Sequence, residues 1–148
     1  MANISTLSIL LNTGNLSGAG TDGDVYVGIC GREFYLDTSS DDFERNSSRV
    51  YVLGEGANTL HPATNDPRKP QLRDEDVDRY PVYVRFNPRG RSDNWNLVRA
   101  AIHINGATLP LFDSALEREG GIWLGIRSTL FYYLRRHIDP TGPGVTGQ

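Results

Sequence analysis

Cysteine, lysine and long apolar runs are nearly missing from this chain of 148 residues. Cys30 stands alone, so no internal disulfide frames the fold. Its place in the alternating run Val25-Tyr26-Val27-Gly28-Ile29-Cys30 marks a packed thiol rather than a nucleophile. Lys69 is the only lysine against 14 arginines. No stretch approaches the roughly 18 apolar residues of a membrane span, and no transmembrane segment is expected. The start, residues 1–6, lacks the basic and apolar regions of a secretory signal, so the expectation is a soluble chain, cytoplasmic or exported by a signal-less route. A net charge of −3 supplies no global field for nucleic acid, which is not expected as a partner.

Catalytic patterns are missing too. His61, His103 and His137 are scattered without ligand spacing, and no Gly-x-Ser-x-Gly elbow occurs. Asp41 and Asp42 are neighbours whose side chains diverge on extended backbone, a poor pair for glycoside hydrolysis. The expectation is a non-enzyme.

What is present is alternation of period two. Apolar residues repeat at Leu7/Ile9/Leu11, Val25/Val27/Ile29, Phe34/Leu36, Val50/Val52, Val82/Val84/Phe86 and Val98/Ala100/Ile102/Ile104. Gly, Asn, Asp and Pro clusters separate these runs, which predicts an all-β antiparallel sandwich. Cys30-Gly31 and Asn105-Gly106 read as tight reversals, the second followed by a short run at 108–112. Ser114 to Glu117 matches a capping box, predicting one short connector helix near 114–119. The domain is expected over 1–138, with a proline-rich loop excursion at 55–80 and a flexible tail at 139–148.

Three acidic loops carry the functional signal: 18–22 (Gly-Ala-Gly-Thr-Asp), 40–43 (Ser-Asp-Asp-Phe) and 92–95 (Ser-Asp-Asn-Trp). Antiparallel strands alternate direction, and counting reversals places all three at one end. Asp22, Asp41, Asp42 and Asp93 then repel; at an effective dielectric near 20, each pair about 4 Å apart costs roughly 4 kcal/mol. A divalent cation removes that conflict, and carbonyls freed by Gly18 and Gly20, with Thr21, Ser40 and Asn94, add neutral oxygen. Ca²⁺ takes six to eight oxygens at roughly 2.3–2.6 Å. Asp-rich turns equally serve ordinary turn chemistry, and no EF-hand pattern is present.

The strings 18–26, Phe34-Tyr35-Leu36-Asp37, Asp41-Asp42-Phe43-Glu44-Arg45, Asp93-Asn94-Trp95 and Ile122-Trp123-Leu124-Gly125 resemble, in order, the PLAT (lipoxygenase-homology) domain. The variant most similar is the calcium-binding C-terminal domain of clostridial phospholipase C. The resemblance covers roughly 5–54 and 81–127. It implies a sandwich of about eight strands that binds one or two Ca²⁺ through loops at one end and docks on a phospholipid surface or a partner protein. Carried over, one ion would take the Gly20 carbonyl, Asp93 and Asn94; a second would take Thr21, Asp22, Ser40, Asp41 and Asp42. Gly18 departs from the pattern, standing where the calcium-binding variant has an aspartate, which weakens the first site. Trp95 is expected at the membrane interface, with Arg89 and Arg91 beside it, and Trp123 in the core.

Two other readings stay open. Tyr26, Tyr35, Tyr51, Tyr80 and Tyr83 would form a glycan platform if they faced outward on one sheet, making the chain a carbohydrate-binding module. In a calcium-independent docking subunit, Arg85, Arg89, Arg91 and Arg99 with the 55–80 excursion would carry the contact, and Arg89 and Arg91 would neutralise Asp93 without metal.

Overall fold

The computed structural model describes residues 2–137; the tail expected at 139–148 lies outside the described residues. Among the described residues nine strands alternate with loops: β1 (Thr6–Thr13), β2 (Asp24–Ile29), β3 (Arg32–Leu36), β4 (Ser48–Gly54), β5 (Tyr83–Asn87), β6 (Trp95–Ile104), β7 (Phe112–Ala115), β8 (Ile122–Leu124) and β9 (Phe131–Tyr133). They form two antiparallel sheets, β4-β1-β6-β7 with β8 also paired to β6, and β3-β2-β5-β9. Their inner faces interdigitate as in a sandwich, with Leu7, Ile9, Leu11 and Ile102 on one side and Val25, Val27, Phe34, Val84 and Phe86 on the other.

The expected β2–β3 hairpin forms as its sequence requires. Cys30 (φ 55°) and Gly31 (φ 76°) both adopt the left-handed backbone of a two-residue turn matched to strand twist. The Cys30 thiol is buried, and burial, aided by the charges of Asp76 and Asp74, pushes it up to about 11. Asn105 and Gly106 repeat the conformation (φ 53° and 69°). The Asn105 side chain also stitches the chain start, accepting from Ser5 N–H at 2.7 Å and donating to the Asn3 carbonyl at 2.9 Å.

Four expectations are corrected. Of the run expected at 108–112, residues 108–111 are loop, and the strand is Phe112–Ala115, paired to Arg99–Ile102. The connector helix shrinks to one 3₁₀ turn, Glu117–Glu119, because Phe112, Ser114 and Leu116 bury alternately and Ser114 Oγ accepts from Arg135 N–H at 2.8 Å. On β4 the inward residues are Tyr51 and Leu53, not Val50 and Val52. The register sets this by placing Tyr51 opposite Ile9 and Leu53 opposite Leu7.

The fourth correction concerns the tryptophans. Between Asn12 and Thr13 the pairing partner jumps from Arg99 to Leu97, so Val98 is a bulge residue. One extra residue reverses the alternation, and Leu97 and Trp95 face the core where unbroken alternation from Ile102 would turn Trp95 outward. Trp95 is 0% exposed. On β8, paired across from it, Leu124 opposite Trp95 is buried, whereas Trp123 faces out at 37% exposed.

The excursion at 55–80 runs without strands, apart from isolated bridges and a 3₁₀ turn at Asp74–Asp76. It is pinned by Leu72 and Val77 in the core and by the bond from Ile4 N–H to the Leu72 carbonyl at 2.9 Å.

Candidate functional site

The loops β1–β2, β3–β4 and β5–β6 share one end of the sandwich. The Thr21 amide donates to the Phe43 carbonyl at 3.0 Å and the Thr21 hydroxyl to Asp93 Oδ1 at 2.6 Å, so all three acidic motifs touch. A fourth loop, 125–130, joins them: a Cβ on Gly125 would stand 2.2 Å from Asn94 Oδ1. Sequence reasoning missed this loop because three-residue strands such as β8 and β9 carry almost no periodic signal.

Two carboxylates of the expected set are committed to the protein itself. Asp93 Oδ1 holds Thr21 and Asp93 Oδ2 accepts from the Arg89 amide at 2.8 Å, tying loop to loop. The approach is so close that a Cβ on Gly23 would fall 2.9 Å from Asp93 Oδ2 and 2.8 Å from the Asn87 carbonyl. The Arg89 guanidinium reaches back to the Asp22 carbonyl at 3.0 Å. Asp42, nearly buried, accepts from Arg49 at 2.6 Å, from the Tyr51 hydroxyl at 3.0 Å, and from the Thr38 amide and hydroxyl at 2.8 and 2.9 Å.

These bonds set the local electrostatics. Burial alone would raise the Asp42 carboxyl, but the bonds from Thr38 and Tyr51 outweigh it and hold the group below the usual carboxylate range. Asp37 moves the other way, raised by burial and then by its hydrogen bond to Asp42 and that group's charge. The Tyr51 phenol is pushed up by burial and by Asp42. Tyr35, whose hydroxyl donates to Asp24 Oδ1 at 2.9 Å, is raised by burial and by that bond.

Several clefts open at this end, and two of them adjoin the 18–22 loop. One of about 390 Å³ lies between Gly18, Gly20, Glu44, Arg45 and Arg89. The other, of about 210 Å³, is lined by Asp22, Asp24, Asp37, Asp41, Asp42 and Ser40, with Arg89 at its edge.

For a hard cation the donor set divides. In the grouping of Gly20, Asp93 and Asn94, both Asp93 oxygens already accept a hydrogen bond, and the Asn94 amide donates to the Ser92 carbonyl at 3.3 Å while its oxygen faces Gly125. In the second grouping, Thr21 and Asp42 are committed, while Asp22, Ser40 and Asp41 are exposed on the smaller cleft. Asp24 and Asp37, which the sequence reading left out, join them there. All are oxygen donors of the kind Ca²⁺ prefers, and burial and the neighbouring Asp42 raise the Asp37 carboxyl. Among the described residues no group of three or more His, Cys, Asp or Glu side chains is set to hold a metal ion as they stand.

The expected membrane contacts are rearranged. Trp95 is not available: it donates to Thr13 Oγ1 at 2.8 Å and packs edge-on against Phe43 at 5.3 Å. Trp123, expected in the core, is on the surface beside Asn94, Arg127 and Ser128, with Ile126 50% exposed nearby. Arg89 and Arg91 are exposed as expected, and Arg91 lines one cleft with Arg127. Neither Arg91 nor Arg127 is in an ion pair among the described residues. No helix among them is long and apolar enough to cross a membrane.

No protein-family model matches the sequence, and no curated protein does. Solved structures do match. The alpha-toxin of Clostridium absonum superposes with a TM-score of 0.63 at 19% identity, covering 90% of this chain and 32% of that one. The Clostridium perfringens alpha-toxin from an avian strain gives 0.65 at 18% identity, with the same 90% and 32% coverage. A coral 8R-lipoxygenase, whose structure is described as showing calcium activation via a C2-like domain, gives 0.60 at 16% identity over 88% of this chain and 17% of that one. The chain thus spans about a third of the toxins and about a sixth of the lipoxygenase. The matches fall on the toxins' C-terminal domain and the lipoxygenases' PLAT or C2-like domain, and the fold of this chain is a PLAT-like β-sandwich.

Proposed function

We propose that this chain is a non-catalytic docking module that binds Ca²⁺ in the cleft of Asp22, Asp24, Asp37, Ser40 and Asp41 and attaches by the same end to a phospholipid surface. The observation that carries the reading is the excess negative charge of that cleft: five aspartates line it against Arg49 on Asp42 and Arg89 at the edge, and Asp37 is raised by burial and by Asp42. Asp42, held by Arg49, sets the neighbouring charge rather than serving as a ligand. Calcium bound there supplies positive charge with coordination positions open to a lipid phosphate. Arg91 and Arg127 add attraction to anionic headgroups, each worth about 1 kcal/mol near such a surface. Trp123 and Ile126 supply the apolar contact in place of Trp95. The lipoxygenase described as calcium-activated through a C2-like domain supports the assignment.

Thermal unfolding with calcium and with chelator tests it. A ligand that binds the folded state stabilises by mass action, about 2.7 kcal/mol at a hundredfold excess over Kd. A calcium-dependent rise is expected in the native chain and not in Asp22→Ala or Asp41→Ala. Co-sedimentation with phosphatidylserine vesicles should follow the same pattern. No rise in the native chain rejects the calcium seat.

A second reading, docking without metal, is favoured by the ion pair of Arg49 with Asp42 and by the Arg89 guanidinium on the Asp22 carbonyl, although Arg89 meets Asp93 only through its backbone amide. It predicts equal vesicle or partner binding in calcium and in chelator. Arg89→Gln separates the readings: a calcium stabilisation seen in the native chain and kept or enhanced in that variant rejects the metal-free one.

A further inference from the structure

The outer face of the β3-β2-β5-β9 sheet meets the acidic end at Tyr35, which donates to Asp24, and runs away from it across the strands. Two rows of side chains cross its four strands. Register aligns Tyr35, Tyr26, Arg85 and Phe131 in one row and Glu33, Gly28, Tyr83 and Tyr133 in the next. Alternation turns Val25, Val27, Phe34, Val84 and Phe86 inward, so the aromatic residues of both rows face out. Tyr51 and Tyr80, grouped with them by sequence, belong elsewhere: Tyr51 is in the core and Tyr80 lies over Gly31.

This face is rigid and locally neutral. Tyr83 lies over Gly28, where a Cβ would come within 2.1 Å of its ring, and its hydroxyl donates to Glu33 at 2.8 Å. Arg85 grips both Glu33 oxygens at 2.8 and 2.7 Å, and its guanidinium carbon stands 4.0 Å over the Tyr26 ring. Phe131 and Tyr133 pack edge-on against Tyr83 at 5.4 and 6.2 Å, their own rings parallel within 11°. They remain 40% and 61% exposed. The Tyr26 and Tyr133 hydroxyls and Arg85 Nη1 have no hydrogen-bond partner among the described residues.

We propose that this face is a second binding site, for a neutral oligosaccharide lying across the strands. The ion pair of Glu33 and Arg85 cancels the charge, which disfavours an anionic lipid or nucleic acid as occupant. Rings fixed in place offer C–H stacking to pyranose faces at little entropic cost, and the free phenols and guanidinium nitrogen offer bonds to hydroxyls. A strip exposing two large apolar residues is too small for a stable protein interface, which needs roughly 20–30 residues a side.

Titration calorimetry and proton NMR of the full chain with cellohexaose, mannohexaose and chitohexaose, against a heparin hexasaccharide, provide the test. At least one neutral sugar is expected to bind and to shift the Phe131 and Tyr133 ring resonances, and heparin is not. Phe131→Ala and Tyr133→Ala should each weaken binding about tenfold or more, with the far-ultraviolet dichroism of the native chain. Trp123→Ala should leave it unchanged. No shift with any neutral sugar overturns the proposal, as does binding that survives the Phe131/Tyr133 double substitution. So does a dimer in sedimentation velocity that the double substitution dissolves, since a second copy would then cover the face.

Discussion

The excursion at 55–80 and the loop end at 18–22, 37–44 and 88–95 are both long on Asp, Asn, Gly and Pro, yet they handle charge in opposite ways. In the excursion the groups gathered at 64–70 are matched. The Arg32 guanidinium donates to the carbonyls of Asp66, Pro70 and Thr64 at 2.7, 3.3 and 3.2 Å. Asp66 accepts from the Arg68 amide and side chain at 2.9 to 3.0 Å. Asn65 closes a backbone-like pair with Tyr35, accepting from its amide at 3.1 Å and donating to its carbonyl at 2.9 Å. At the loop end Asp42 takes Arg49, Asp37 is left beside a charge of its own sign, and Asp22 and Asp41 have no ion pair among the described residues. Similar composition thus builds a sealed joint in one place and an electrostatic vacancy in the other, and the vacancy is where a ligand has work to do.

Opening the sealed joint should give the larger change in stability. Asn65→Ala leaves the Tyr35 amide and carbonyl without their partner at the edge strand β3, and a loss of about 2–3 kcal/mol is expected. The urea midpoint should fall with an unchanged slope, by the same amount in calcium and in chelator. A loss that depends on calcium would break the contrast between the two regions.

Relieving the vacancy should act with the opposite sign and a smaller size. Asp37→Asn removes a carboxylate that burial and Asp42 disfavour, so the metal-free protein should gain up to about 1 kcal/mol, the partial exposure of the group limiting the effect. The pH dependence fixes the cause. A carboxyl raised in the folded state contributes stability that is fully present below its unfolded value, near 4, and is lost as pH rises through the folded one. Asp42, lowered, contributes stability present above its unfolded value and lost as pH falls through the folded one. Metal-free native protein should therefore lose stability as pH rises above about 4 through the Asp37 value, and the Asn variant should not. Calcium should restore the loss in the native chain alone, which urea titrations at several pH values will show.

This division also explains what the sequence could disclose. The sandwich and the shared end follow from period-two runs and from strand parity, because both are set by backbone geometry that every residue of a strand repeats. Which carboxylates are free is decided by single contacts. Arg49 stands on β4 next to Tyr51, and only the register that turns Tyr51 inward brings the two to Asp42. Asp24 opens strand β2 and Asp37 follows β3, and neither carries a loop signature, yet both line the cleft. One bulge at Val98 exchanged the roles of the two tryptophans, and no pattern of residue types announces a bulge.

That exchange supports the last and smallest stability effect. Trp123→Ala should change stability by less than about 0.5 kcal/mol, since its side chain is a surface group outside the core cluster. Its consequence should appear at the membrane. The chain has two tryptophans, so emission divides into a buried and an exposed source. With phosphatidylserine vesicles and calcium, the native spectrum should shift to the blue as the exposed indole leaves water. The variant, retaining Trp95 alone, should emit at the same wavelength with and without vesicles and should sediment with them less. A vesicle-dependent shift that persists in Trp123→Ala would mean that Trp95 is being uncovered, and that docking opens the sandwich at the bulge rather than resting on its finished surface.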